Sequence, residues 1–193
     1  LLELALKALE DIGIKDITIC TGYLAEQIRL FAKHNFPQLN IHFVHNDLYE
    51  TTNNIYSLYL MRNDAEGNDV VLLDSDIVFD PAVLKRLIDN KDDNTLALNS
   101  HKLGEEEIKV ILDNNQRVQE LSKTCSIAKA AGESIGIEKM SAAYTAALYK
   151  EMEQMIEHEH LSNVFYEKAF ERLIPQGHTF GVTDVSDLFS AEL

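Results

Sequence analysis

The segment Asp69-Val-Val-Leu-Leu-Asp74-Ser75-Asp76-Ile-Val-Phe-Asp80-Pro81 restricts the fold of this chain more than any other. Val70 to Leu73 is an unbroken apolar run, which a strand shows when both of its faces are covered, as in parallel sheets flanked by helices. The run stops at Asp74 and Asp76. Residues i and i+2 of an extended chain point to the same side, so the two carboxylates project together. At the carboxyl edge of a doubly wound sheet they lie where such folds bind ligands, and hard oxygen donors there suit Mg²⁺ or Mn²⁺. A turn whose aspartates only cap and solvate is the alternative, because turns are rich in Asp for local reasons. Asp80 and Pro81 read as N-cap and first residue of the next helix.

The flanking sequence repeats an alternation of strand and helix. Leu2, Ala5, Leu6, Leu9 and Ile12 share one helical face, with Gly13 as the stop. Lys15 to Thr21 and Asn40 to His45 read as strands around a helix at Leu24 to Phe36. A short helix at Ile55 to Met61, the strand at Val70 to Leu73, a helix at Ala82 to Ile88 and a strand at Thr95 to Leu98 continue the pattern. This predicts an α/β fold with a doubly wound, mostly parallel, Rossmann-like sheet. The pattern then changes. Ile108 to Leu112 and Arg117 to Leu121 flank a polar turn and predict a hairpin, the small antiparallel addition. A strand at Ser134 to Met140, helices near Ala142 to Glu157 and Leu161 to Leu173, and a strand from His178 to Val182 follow. With three prolines, eight glycines and no internal repeat, 1–193 reads as a single domain.

The net charge of −15 argues against a nucleic-acid partner, which needs a stripe of Lys and Arg. No apolar run approaches the roughly 20 residues that span a bilayer, so the expectation is a cytoplasmic protein with no membrane partner. Cys20 and Cys125 lack metal or redox spacing and read as reduced thiols. Glu157-His158-Glu159-His160 resembles a ligand cluster only in one dimension, since residues two apart on a helix do not share a face.

Several segments together resemble a family. Gly13-Ile-Lys-Asp-Ile-Thr-Ile-Cys-Thr-Gly-Tyr-Leu-Ala-Glu-Gln27 resembles the stretch after the first motif of sugar-phosphate and phosphocholine nucleotidyltransferases. Asn53-Asn54-Ile-Tyr56-Ser57-Leu58-Tyr59-Leu60 is similar to the phosphocholine cytidylyltransferase branch, and Leu73-Asp74-Ser75-Asp76 to its metal motif. The likeness continues through Ile108 to Asp113, Ser122-Lys123 and Gly132 to Ile137, and ends at Phe189-Ser-Ala-Glu192-Leu193. It implies the nucleotide-diphospho-sugar transferase type of sheet and Mg²⁺-dependent transfer of a nucleoside monophosphate, CMP from CTP, to a small phosphorylated acceptor, with release of pyrophosphate. Phosphocholine, 2-aminoethylphosphonate and sugar or polyol phosphates are the acceptors it allows.

The resemblance also assigns roles beside which plainer ones stand. Asp76 would be the principal metal ligand, and Asp74 a second ligand or the holder of metal-bound water. Asn53 and Asn54 would read base or ribose, or only start the helix that follows them. Ser57 would assist or pack, and Tyr23 would cover the base or lie on the sheet edge. Lys123 would neutralise the acceptor phosphate or sit at a solvated strand end, and Lys109 poses the same choice. Tyr144, Tyr149, Phe165 and Tyr166 would wall the acceptor pocket, as an aromatic cage for a quaternary ammonium, or belong to the core. Ser134 stands where relatives often carry an aromatic residue. The family's Gly-rich loop would precede Leu1 and its second metal aspartate would follow Leu193, so the sequence reads as truncated at both ends and nearly inactive by itself. A glycosyltransferase of related fold, holding Mn²⁺ and a diphosphate on D-x-D, and a regulatory module without chemistry are the other classes. The oligomeric state is not legible.

Overall fold

The computed structural model describes residues 1–192, and Leu193 lies outside the described residues. Helix α1 (Leu2–Asp11) buries Leu6, Ala8 and Leu9 and ends where Gly13 takes a φ of 84°. Strand β1 (Asp16–Thr21), helix α2 (Ala25–Asn35) and strand β2 (Asn40–His45) form a βαβ unit, with β1 parallel to β2 from Asp16 opposite Asn40 to Thr21 opposite His45. Leu6, Ala32, Phe36 and Leu39 pack beneath it with Ile17, Ile19, Ile41 and Phe43.

The second sheet is built around one strand. After α3 (Asn54–Leu60), α4 (Arg62–Ala65), β3 (Val70–Leu73), β4 (Ile77–Phe79), α5 (Ala82–Asp89) and β5 (Thr95–Asn99) comes the hairpin of β6 (Lys109–Leu112) and β7 (Val118–Ser122). The nine-residue β8 (Gly132–Met140) follows, then α6 (Ala142–Glu153), α7 (Glu167–Leu173), β9 (Gly181–Asp184) and β10 (Ser190–Glu192). β5 lies along one edge of β8, and the other edge is shared. Lys109 and Val110 of β6 pair with its first residues, Val70 to Leu73 of β3 with its last four. β3, β5, β6 and β9 run in one direction and β8 against them, so the sheet is mostly parallel in direction while most hydrogen-bonded neighbours are antiparallel.

Both faces are covered. Val70 and Leu72 of β3 face a core of Leu96, Leu98, Tyr144, Leu148, Phe170 and Phe180, whereas Val71 and Leu73 face Ala97, Ile135, Ile137, Val83, Leu84 and Leu87. That is the arrangement the apolar run predicts, and it leaves Asp74 at the end of a strand held on both sides.

Two expectations are corrected, and two strands are added. The helix expected at Leu161 to Leu173 begins only at Glu167, because the preceding loop is tied to the start of α3: Asn53 N donates to Ser162 O at 3.0 Å and Tyr166 N donates to Asn54 Oδ1 at 2.9 Å. The strand expected at His178 to Val182 shifts to Gly181–Asp184, because Gly177 and His178 close the preceding helix, with His178 N on Leu173 O. β4 and β10 have no local signature. Three residues are too few for periodicity, and each strand exists through the other, with Glu192 opposite Ile77.

Candidate active site

The shared edge of β8 opens the sheet. β3 stops pairing at Leu73 opposite Ile137, while β6 pairs only as far as Lys109 opposite Glu133, with Ser134 N donating to Ile108 O at 2.9 Å. Between these points the chain turns away at Asp74 to Asp76, and a cavity of ≈ 290 Å³ lies in the gap. Its lining includes Asn53, Asn54, Asp74, Asp76 and Lys123. Five of the residues singled out by sequence thus meet at one place although they span seventy positions of the chain.

Asp74 is fixed by its backbone, which donates to Gly136 O at 2.9 Å. Burial pushes its carboxyl up to about 7; the Tyr166 hydroxyl nearby offsets part of this, and the charges of Asp76 and Glu192 add to it. Gly136 has a φ of 70°, and a Cβ there would collide with the Asp74 carboxylate, so only glycine lets β3 and β8 close around the site. Asp76 is exposed in the turn. Glu192 reaches the cavity through the β4–β10 ladder.

Lys123 extends its ammonium over the Phe165 ring at 4.9 Å and toward Glu106 at 3.5 Å. Lys109 does neither of the things expected of it. It is 1% exposed, and its ammonium donates to the carbonyls of Glu105 (2.9 Å), Glu107 (3.1 Å) and Lys123 (2.8 Å), using all three of its hydrogens. It therefore ties the loop ahead of β6 to the residue that presents Lys123. Asn53 and Asn54 both serve the fold: Asn53 Oδ1 accepts from Asn54 N at 2.7 Å, and Asn54 Oδ1 holds Tyr166 N. Their carboxamide nitrogens make no hydrogen bond among the described residues.

Tyr23 and Ser57 do not line the cavity. Tyr23 is 70% exposed beyond the end of β1, and Ser57, one turn along α3 from Asn53, takes a hydrogen bond from Asn46 Nδ2 at 3.2 Å. Tyr144, Tyr149 and Tyr166 belong to the core, at most 2% exposed, so the expected aromatic wall reduces to Phe165.

Sequence reasoning gives no role to Glu138 or Glu167. Glu138 follows Ser134 and Gly136 on one face of β8, opposite Ile135 and Ile137, a parity that reads as a solvent face until the second core layer covers it. Its Oε1 accepts from Ser134 Oγ at 3.1 Å; its Oε2 is buried without a partner. Burial holds its carboxyl well above the usual range, with Asp74 and Glu167 adding to the effect. Glu167, at the start of α7, is pushed up to about 7 by burial and by Asp74, with Lys123 opposing. Carboxyls whose pKa rises on folding hold protons in the native state that the unfolded chain has released. Their contribution to stability is full below about 4.5 and is lost as pH rises to about 7 and above. The melting temperature is accordingly expected to be lower near about pH 8 than near about pH 5.5, and Glu138→Gln to narrow the difference. Identical pH profiles for the two proteins would show that Glu138 does not carry this burden.

The donor set fits Mg²⁺ or Mn²⁺. Asp74 and Asp76 offer only oxygen, with Glu192 adding negative charge, and among the described residues no three His, Cys, Asp or Glu side chains come together to hold a metal unaided. One or two carboxylates completed by water and phosphate oxygens is the usual way Mg²⁺ is bound. Among the described residues no helix is long and apolar enough to cross a membrane.

No protein-family profile matches the chain. Two curated enzymes match part of it. CMP-5'-(3-aminopropyl)phosphonate synthase of Streptomyces rubellomurinus is 39% identical over 79 residues, 41% of this chain and 12% of that protein. Choline-phosphate cytidylyltransferase of Streptococcus pneumoniae is 36% identical over 75 residues, 39% of this chain and 31% of that protein. The chain is a nucleotidyltransferase relative, close to the phosphocholine cytidylyltransferase branch. Its matches span less than a third of either curated relative's length. Solved structures agree on the fold over the whole chain. The inositol-1-phosphate CTP transferase of T. maritima superposes with a TM-score of 0.78 at 16% identity, covering 99% of this chain and 75% of that one. The CTP:phosphocholine cytidylyltransferase of S. pneumoniae gives 0.78 at 20% identity, covering 100% and 78%.

Proposed function

We propose that the protein transfers CMP from CTP to the phosphate or phosphonate of a small acceptor and releases pyrophosphate. The observation that carries this reading is the convergence of Asn53, Asn54, Asp74, Asp76 and Lys123 on one cavity where β3 and β6 part along β8. The preference for cytidine rests on the two curated relatives, both of which are named for cytidylyl products or activity.

In this reaction an acceptor oxygen attacks the α-phosphorus of CTP, and the bond to the β-phosphate oxygen breaks, its electron pair leaving with pyrophosphate. The attacking oxygen is ionised at neutral pH, so no general base is needed, and positioning with charge stabilisation supplies most of the rate. Seven carboxylates and a single lysine line the cavity, so the protein alone repels both reactants. Mg²⁺ held at Asp76 with Asp74 would, when bound, offset that repulsion and fix the phosphates in line. Lys123 meets the acceptor phosphate, kept in place by the ring of Phe165 and by the Lys109 clamp behind it. The carboxamide nitrogens of Asn53 and Asn54 donate to the nucleotide while their oxygens hold the loop.

Pyrophosphate release by the full-length protein, measured with Mg²⁺, each of the four ribonucleoside triphosphates and a panel of phosphorylated acceptors, tests the reading. It predicts turnover with CTP and at least one acceptor. Release of a nucleoside diphosphate from a nucleotide-sugar would replace it with the glycosyltransferase, and failure to bind any nucleotide with the regulatory module.

A further inference from the structure

Behind Asp74 the core keeps two polar groups without a hydrogen-bond partner. Tyr166 is 2% exposed and its hydroxyl is unpaired, and Oε2 of the buried Glu138 is in the same condition. The hydroxyl lies beside both the Asp74 and the Glu138 carboxyls and closes a hydrogen bond to neither. A buried hydroxyl left unpaired is costly, so its persistence calls for a reason. Packing does not supply one. The Tyr166 ring meets Phe170 edge to face at 5.3 Å, and its backbone amide donates to Asn54 Oδ1 at 2.9 Å, contacts that a phenylalanine would make equally well.

We propose that Tyr166 is a positioning residue for Asp74: when the site is loaded with metal, its hydroxyl donates to the Asp74 carboxylate and so fixes the direction in which that carboxylate is presented to the cavity. The inference rests on the nucleotidyl-transfer reading, which makes Asp74 part of the metal site. Hydrogen bonds of this kind are often loose in the ligand-free protein and close in the complex.

The donor is held from two sides, by Phe170 in the core and by the Asn54 side chain at the start of α3, so its direction is set before a metal arrives. A carboxylate ordered in advance binds a cation more tightly than one that must be ordered on binding. Glu138 completes the arrangement. Its Oε1 accepts from Ser134 Oγ at 3.1 Å, and burial favours the protonated form of its carboxyl. The hydrogen on Glu138 then has the Tyr166 oxygen as its acceptor, while the hydrogen of Tyr166 turns to Asp74, and each of the three groups gains a partner. The same hydroxyl carries nothing else in the fold, which separates this role from a structural one.

Tyr166→Phe removes the hydroxyl and keeps the ring. In the full-length protein, Mn²⁺ is titrated with CTP present, against a protein-free control, by the paramagnetic resonance signal of the free ion. Pyrophosphate release is followed in parallel against Mn²⁺ concentration. The variant is expected to bind Mn²⁺ at least ~10-fold more weakly, with a melting temperature no lower than the parent's. Its release rate at saturating Mn²⁺ is expected to return to within about threefold of the parent's. Tyr144→Phe, which deletes another buried and unpaired hydroxyl of the same core, is expected to leave Mn²⁺ affinity unchanged. Parent-like Mn²⁺ affinity in Tyr166→Phe would overturn the proposal. An equal loss in Tyr144→Phe, or a loss in Tyr166→Phe accompanied by a lower melting temperature, would overturn it too and return the hydroxyl to the core. Asp76→Ala tells this failure from failure of the reading beneath it. Weakened binding in Asp76→Ala beside an unaffected Tyr166→Phe sinks the positioning role alone, whereas parent-like binding by Asp76→Ala, or none by the parent, removes the metal site on which both stand.

Discussion

Asp76→Ala is expected to lower pyrophosphate release by roughly three orders of magnitude while leaving the fold intact. The size follows from the charge balance of the cavity. Seven carboxylates face two anionic reactants, with Lys123 as the lysine on the other side of the balance, so the proposed reaction requires a cation, for which Asp74 and Asp76 in the turn after β3 are the proposed ligands. Asp76 is exposed there and makes no hydrogen bond to another residue among those described, so truncating it costs the fold within about 0.5 kcal/mol. Asp74 is different. It is half-buried and its backbone is locked to Gly136, which makes it a poorer probe, since its loss disturbs packing as well as charge. Initial rates at saturating Mg²⁺, with a melting curve for each protein, separate the two effects. A variant within about tenfold of the parent rate would show that Asp76 is not the metal ligand.

Gly136→Ala is expected to cost about 3 kcal/mol of stability, from strain at positive φ together with overpacking, and to abolish measurable transfer. The φ of 70° lies where an L side chain is strained, and the new methyl would overlap the Asp74 carboxylate. Relief requires either β3 to slide along β8 or Asp74 to turn out of the site, and each moves the proposed metal ligands. A fall in melting temperature of about 6–12 °C is the corresponding observable for a domain of this size. Retention of both stability and rate would mean that β3 and β8 do not close on each other as described.

The elements with local signatures were legible in sequence. The β1–β2 register runs from Asp16 opposite Asn40 to Thr21 opposite His45, close to the strands expected from β-branched alternation, and α1 stops at Gly13 for the anticipated reason. Asp74 and Asp76 were legible because two carboxylates after an apolar run form a signal only three residues long. What depends on distant partners was not legible. That β8 enters between β3 and β5 is decided by which edges remain to be paired, and nothing within Gly132 to Met140 states it. Glu138 received no role from the sequence, because alternation reports the two faces of a strand but not how many layers cover them. Lys109 looked like an exposed or catalytic lysine, and its three carbonyl partners come from three separate residues whose meeting is tertiary. Tyr23 and Ser57 entered through resemblance alone, and the folded chain leaves both off the cavity lining.

The account stands most directly on the bond formed in turnover. Phosphorus NMR of the product made from CTP, Mg²⁺ and an accepted phosphonate or phosphate should show CMP joined to the acceptor through a new P–O–P anhydride, with one pyrophosphate for each product molecule. A product in which the acceptor's phosphorus carries no nucleotide, or a nucleoside diphosphate released in place of pyrophosphate, would contradict it.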